Sequence, residues 1–464
     1  MDIMEHQHIH EAVSRLNGFF NTGATRDFAF RIAALKKLAT AIRSAEGDIM
    51  RALREDLRKP EFESYAGEIG ILYPEIKHMI GRLGRWTRAR WVPTPILHFP
   101  SRSVVYREPY GTAMIVSPWN YPFQLTAAPL IAAIAAGNCV LIKPSELSPA
   151  TSQLIGRLMG DTFDPSHIAV VQGGIETATA VLEEKFDIIF YTGSTAVGRV
   201  VMTAAAKHLT PVVLELGGKS PVIVEATVRL DYAARRIAWG KFFNAGQTCL
   251  APDYLLVQRA VYDAFTGLLV ETIRRFYGVD PRTSPDYARI INDRHFLRLE
   301  SLMQEGEILH GGKTDREQRY IEPTLFAGVE ISHRIMQEEI FGPLLPVIAY
   351  DSLDEAVAFV NRLPRPLALY YFTGEPDRAE ALFSRVHSGG ACVNDTVSHV
   401  GSHHLPFGGI GDSGMGAYHG RWGFEAFTHR RGVLYRSNRL DMPLRYPPYG
   451  ERVGLLKRLF RILG

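Results

Sequence analysis

Residues 112–143 read TAMIVSPWNYPFQLTAAPLIAAIAAGNCVLIK, and the order of residue types there decides the fold. Met114-Ile115-Val116 and Cys139-Val140-Leu141-Ile142 are short apolar runs that flank an Ala- and Ile-rich stretch stopping at Gly137. Glycine ends a helix in left-handed backbone, so the pattern predicts strand, helix, cap and strand, a βαβ unit. Strands this short and apolar on both faces belong to buried parallel sheets.

The alternation continues through Ile168-Ala169-Val170-Val171, Asp187-Ile188-Ile189-Phe190-Tyr191 and Val212-Val213-Leu214. Upstream, Phe30, Ile32, Leu35, Leu38 and Ile42 recur near the 3.6 period, so residues 1 to about 85 read as helices packed around this unit. A second alternating region runs from Pro221-Val222-Ile223-Val224 to about residue 425 and includes Gly390-Ala391-Cys392-Val393. At 464 residues the chain exceeds one core. The expected class is α/β with two parallel-sheet domains, the first from 1–85 and 107–213 and the second from 214–425, with a small-molecule cleft between them.

Composition narrows the function. Apolar residues make up 46%, charged residues 22%, and the formal net charge is +3, an ordinary globular balance that points to no nucleic-acid partner. Three cysteines, Cys139, Cys249 and Cys392, stand far apart, which favours a reducing compartment over a disulfide framework or a metal motif; no metal is expected. His6, His8 and His10 read as a solvated helix start. No stretch has a signal-peptide pattern or the roughly 20 apolar residues of a membrane span, so a cytoplasmic location is expected. Residues 430–464 carry nine Lys/Arg against two acids, and Val453, Leu456, Leu459, Phe460 and Leu463 recur at helical spacing between the cations. The 441–464 tail is thus a basic amphipathic helix that packs on its own body or a partner subunit, or lies peripherally on a membrane.

Three segments carry candidate chemistry. NAGQTCL, 244–250, puts Cys249 after a small polar turn, where a thiol is either buried packing or a nucleophile toward a carbonyl. LELGGKSP, 214–221, puts Glu215 at the end of an apolar strand with Gly217 and Gly218 leaving room for a ligand; in a dry cleft its pKa would rise and suit a general base. PWNYPF, 118–123, follows a strand with Asn120 between two prolines, either a turn cap or a rigid donor for an oxyanion. FYTGSTAVGR, 190–199, is strand, turn and helix start with Gly193 and Gly198, and is not GxGxxG.

These segments, with IKPSE (142–146), EEIFGP (338–343) and PFGGIGDSGMGAYHG (406–420), stand in the order and approximate spacing of the aldehyde dehydrogenase superfamily, which the chain resembles over nearly its whole length. The HHLPFGG stretch and the late RYPPYG are most similar to the class 3 branch of fatty, aromatic and coniferyl aldehyde dehydrogenases. The resemblance implies NAD- or NADP-dependent oxidation of a medium- or long-chain aliphatic or aromatic aldehyde to its acid. Cys249 matches the nucleophile that forms a thiohemiacetal and then a thioester, Asn120 with the Cys249 N–H matches the oxyanion site, and Glu215 matches the water-activating base. Glu339 has an alternative claim to that role. Lys143 and Glu146 match positions at the adenosine ribose, Trp119 and Ser194 positions near the diphosphate, and Glu339 and Phe341 positions at the nicotinamide end; Gly193, Leu216 and Gly217 match further cofactor-binding positions. Glu146 favours NAD, and Lys143 leaves NADP open. The resemblance also implies that residues 1–85 and 107–213 form the dinucleotide-binding domain and 214–425 the catalytic domain, and that 86–106 and 426–440 are oligomerisation segments of a homodimer. An acylating reductase, a non-catalytic relative and a cysteine esterase are weaker readings, since base, cysteine and cofactor motifs all stand in the sequence.

Overall fold

The computed structural model describes residues 3–441 and 443–463; Met1, Asp2, Met442 and Gly464, which the N-terminal and tail readings include, lie outside the described residues. The quoted stretch folds as read. Strands Thr112–Val116 and Cys139–Lys143 pair in parallel, joined by the helix Gln124–Ala136, which ends at Gly137 with φ 95°. That helix has no polar face, so it is buried along its whole length.

The first sheet has the order Gly414–Met415, Val212–Leu216, Ile188–Gly193, Thr112–Val116, Cys139–Lys143, Ile168–Val170, parallel except for the short Gly414–Met415 strand. The chain lays strands outward from Thr112–Val116, then returns to its other side with Ile188–Gly193. The order reverses between those two strands, and ligands of open α/β sheets bind beyond the carboxyl ends at such a point. Val212–Leu216 lies whole in this sheet, so the division between the sheets falls after Leu216 and not after residue 213; Leu214-Glu215-Leu216 simply continues the ladder opposite Tyr191, Thr192 and Gly193.

The second sheet has the order Glu307–His310, Thr324–Ala327, Leu344–Tyr350, Tyr254–Gln258, Pro221–Val224, Ala368–Phe372, Gly390–Val393, antiparallel only at its first pair. Helices Ile3–Asn21, Phe28–Ser44, Glu46–Leu57 and Leu72–Trp86 form the N-terminal region. Asp56 fixes them to the first sheet's helix Pro149–Thr162 by accepting from the Ala150 and Thr151 N–H groups at 3.0 and 2.9 Å. His6 and His8 are solvated on the first helix, and His10 meets Glu184 at 3.1 Å.

A third sheet stands apart: Arg90–Val92, Ser101–Pro109 and Thr428–Arg436, with Val104 opposite Val433. The tail helix spans Val453–Leu463. Among its described side chains Val453, Leu455, Leu456 and Phe460 are exposed, as are Lys457, Arg458 and Arg461. No described helix is long and apolar enough to cross a membrane.

Candidate active site

The C-terminal edge of the first sheet faces the N-terminal ends of strands in the second. Glu215 ends a first-sheet strand, Gly217–Ser220 lead straight into Pro221–Val224, and Cys249 precedes Tyr254–Gln258, whose neighbour Asp253 donates its N–H to Ser220 O at 2.8 Å. Cleft residues from both sheets therefore converge without a flexible linker.

The turn before Cys249 is strained. Asn244, Ala245 and Gly246 have φ of 53°, 51° and 74°, left-handed backbone that only glycine adopts without penalty. A Cβ on Gly246 would lie 2.3 Å from Gly342 O, so this turn and the EEIFGP loop touch backbone to backbone. Hydrogen bonds offset the strain. The Asn244 N–H donates to Glu63 Oε2 at 2.9 Å, and Asn244 Nδ2 donates to Asn120 O at 2.9 Å. Gln247 Nε2 donates to Asn244 O and Arg289 O, while its Oε1 accepts from Ile291 N–H.

The same bonds lace the turn to PWNYPF. Asn120 Nδ2 donates to Gln247 O at 3.0 Å, and the Tyr121 hydroxyl meets Thr248 Oγ1 at 2.7 Å. Asn120 is 2% exposed, and its amide keeps a second hydrogen for a ligand. Beneath it Lys59, fully buried, pairs with Glu68 and donates to Asn120 O at 3.0 Å; Glu68 Oε2 in turn accepts from the N–H groups of Phe123 and Gln124.

Cys249 opens on a cavity of about 290 Å³ walled by Phe62, Tyr121, Trp239, Phe243, Val400 and Phe407. Among the described residues no charged side chain lines it. Burial, Glu339 and Glu215 push the thiol up, against the N–H groups of Cys249 and Leu250. Burial alone raises Glu215, whose two carboxylate oxygens have no hydrogen-bond partner. Glu339 is pushed up to about 8 by burial and then by Asp253, against the pull of the Gly218 N–H, Lys219 and Arg298. Burial thus raises both carboxyls and the thiol, and each becomes reactive on losing its proton.

Glu339 is held from all sides. Buried Lys219 pairs with Asp253 and donates to Ile335 O and Glu338 O, Asp253 Oδ1 accepts from Ile340 N–H at 3.0 Å, and Arg298 donates to Glu339 O at 3.2 Å. Its carboxylate lies where a Cβ on Gly217 would sit, 1.9 Å away, so Gly217 makes that approach possible. Phe341, at φ 51°, meets Trp119 edge-on at 5.3 Å.

The remaining predicted residues line the switch-point crevice. Gly193 ends its strand, and Ser194 caps the helix Thr195–Ala206, leaving backbone N–H groups of a first turn for a phosphate. Leu216 packs beneath Gly198 of that helix. Lys143, 3% exposed, is tied to Glu146 at 2.9 Å. A dinucleotide fits this donor set: a helix start for phosphates, a carboxylate for ribose hydroxyls and the Trp119–Phe341 corner for a ring. Lys59, Glu63, Glu68, Lys219, Asp253 and Arg298 were not foreseen. The one sequence signal is that Asp56 extends the apolar stripe of Ile49, Ala52 and Leu53, marking DLRKPEFES as charge turned inward.

Comparison with known proteins agrees. A sequence model of the aldehyde dehydrogenase family matches residues 3–433. The chain is 48% identical to 4,4'-diaponeurosporen-aldehyde dehydrogenase of Staphylococcus aureus, over 96% of this chain and 97% of that one. It is 44% identical to the dimeric NADP-preferring aldehyde dehydrogenase of Canis lupus familiaris, over 95% and 98%. A substrate-bound structure of Staphylococcus aureus AldH superposes with a TM-score of 0.95 at 46% identity, covering 99% of this chain and all of that one.

Breaking the buried pair tests the frame under Asn120. Lys59→Met should lower stability by about 3–5 kcal/mol, because the buried Glu68 carboxyl loses its ion pair and Asn120 O loses its donor. Adding Glu68→Leu should restore only part, since the Phe123 and Gln124 N–H groups then lose their acceptor. Urea unfolding followed by fluorescence reads both; an unshifted midpoint in Lys59→Met contradicts this frame.

Proposed function

The chain belongs to the aldehyde dehydrogenase family, and we propose that it oxidises extended apolar aldehydes, long-chain or aromatic, through a thioester on Cys249. It is an oxidoreductase that turns aldehydes into carboxylic acids with NAD(P). The observation that carries the substrate class is the uncharged, aromatic-walled cavity ending at Cys249, with Phe62 76% exposed at its wall. Such a wall gives a charged or strongly polar aldehyde nothing to pair with, whereas each buried methylene contributes about 0.8 kcal/mol.

In this mechanism the Cys249 thiol first gives its proton to solvent, the thiolate Sγ attacks the aldehyde carbon, and the resulting oxyanion takes hydrogen bonds from Asn120 Nδ2 and the Cys249 N–H. NAD(P), when bound, would accept the hydride that the thiohemiacetal carbon loses, which leaves the thioester on Cys249. Water then attacks the thioester, its proton passes to Glu215, and the acid leaves with Cys249 restored. Glu215 takes the base role because its oxygens are free of partners, whereas Glu339 accepts the Gly218 N–H and sits in a clamped loop. Lys143, Glu146, Gly193, Ser194 and Trp119 would hold the adenosine and diphosphate, and Leu216, Gly217, Glu339 and Phe341 the nicotinamide end. Residues 3–85 and 107–216 then act as the dinucleotide-binding domain, and 217–425 as the catalytic domain.

We also assign a homodimer in the cytoplasm with peripheral membrane contact. The Ser101–Pro109 and Thr428–Arg436 strands carry exposed Leu434 and Tyr435, and Trp91 and Phe99 are exposed beside them, apolar surface a second copy would cover. All three cysteines are free, as a reducing compartment requires. The exposed tail helix pairs apolar residues with Lys457, Arg458 and Arg461, a match for an anionic lipid surface. Light scattering should give about twice 51.8 kDa, and anionic vesicles should sediment the protein only while residues 453–463 are present. A monomer, or sedimentation that survives the deletion, contradicts these assignments.

Reduced-cofactor absorbance with hexanal, hexadecanal, benzaldehyde and glycolaldehyde tests the substrate class. kcat/KM should rise from hexanal to hexadecanal by more than about tenfold, glycolaldehyde should be the poorest, and Cys249→Ala should be inactive. A preference for glycolaldehyde, or full activity in Cys249→Ala, contradicts the proposal. The pH profile follows from the raised thiol and carboxyls: activity needs their deprotonated forms, so kcat/KM should climb from pH 7 upward by at most about tenfold per unit for each ionisation. A flat or falling profile contradicts it.

A further inference from the structure

We propose that the cleft between the end of the Leu72–Trp86 helix, the Arg90–Val92 strand and the His403–His404 turn binds a small molecule carrying several phosphate charges. The cleft encloses about 800 Å³ and is lined by Arg82, Arg85, Arg88, Arg90, Arg107 and Arg421 and by no acidic side chain among the described residues. It is separate from the cavity at Cys249, with which it shares no lining residue.

The charge there is only partly compensated. Arg82 and Arg85 share one helix face, and these two with Arg88 and Arg90 make no ion pair or side-chain hydrogen bond among the described residues. Arg107 and Arg421 both turn to Glu425, which Arg430 also engages, so one carboxylate serves three guanidinium groups. The Arg107 Nε–H is buried without an acceptor. So many like charges around one cleft repel one another, and an anion that several forks can grip at once relieves that repulsion.

Three imidazoles form the inner wall. The rings of His78, His403 and His404 lie 4.3 to 4.9 Å apart between centroids. Burial first, then the other two histidines and Arg82, bring His78 down to about 4, so its ring is neutral near pH 7 and offers an N–H donor. Their ring nitrogens lie within 4.8 Å of one another and so resemble a metal site. The arginines oppose a cation and favour an anion. Trp422, 40% exposed, adds a flat apolar wall for the organic part of the ligand.

Calorimetric titration of inorganic pyrophosphate into the full-length protein, with NAD saturating the cofactor crevice, tests this. One saturable site per chain is expected, weakened at least about tenfold by Arg85→Ala/Arg88→Ala, with aldehyde turnover in the absence of pyrophosphate unchanged. No saturable binding, or binding that the double variant leaves intact, overturns it. So does stoichiometric zinc binding lost in His78→Ala with no pyrophosphate site, which would make the cluster a metal site instead.

Discussion

Asn244, Ala245 and Gly246 hold left-handed backbone in the protein interior, and everything around Cys249 is arranged to keep them there. Two of the three carry side chains, so the turn costs on the order of 1–3 kcal/mol for each before any contact is counted. Glu63 and Asn120, from two other stretches of chain, and the adjoining Gln247 offset that cost with hydrogen bonds. The turn that presents the nucleophile and the loop that presents Asn120 are therefore one structure: neither can shift without breaking bonds that fix the other. A thiol and an oxyanion donor placed with that rigidity need little reorganisation when charge develops.

The second constraint is electrostatic. Glu63, Glu68, Glu215 and Glu339 are all buried around this region, and burial raises every one of them. Their fates differ with their partners. Glu68 has Lys59 and two backbone N–H groups, and Glu63 has the Asn244 N–H, so both serve the frame. Glu215 has no hydrogen-bond partner, which is what supports the proposed base role. Environment, not residue type, separates the partnered acids from the unpartnered one.

Much of this was legible in the sequence. Parallel strands buried on both faces are short apolar runs, so the two sheets could be read directly, and Cys249, Glu215 and Asn120 stand in small polar turns at strand ends, where the structure brings them together. The frame beneath was not legible, because its bonds join residues far apart: Lys59 to Asn120, Glu63 to Asn244, Lys219 to Glu338. Local periodicity carries no information about such partners. The sheet boundary was misplaced at 213 because an acidic residue inside an apolar strand reads as its end, although Glu215 pairs opposite Thr192 within the ladder. The tail was readable as an amphipathic helix, and the exposure of its described apolar side chains is what the structure adds.

The central claim is that the acyl group passes through Cys249 and waits there for water activated by Glu215. The most direct measurement is intact-protein and peptide mass spectrometry of Glu215→Gln, acid-quenched after mixing with NAD and hexadecanal. One acyl adduct per chain, on the peptide containing Cys249 and absent from Cys249→Ala, is the predicted result. An unmodified protein that continues to turn over, or an adduct on Cys139 or Cys392, would contradict the account.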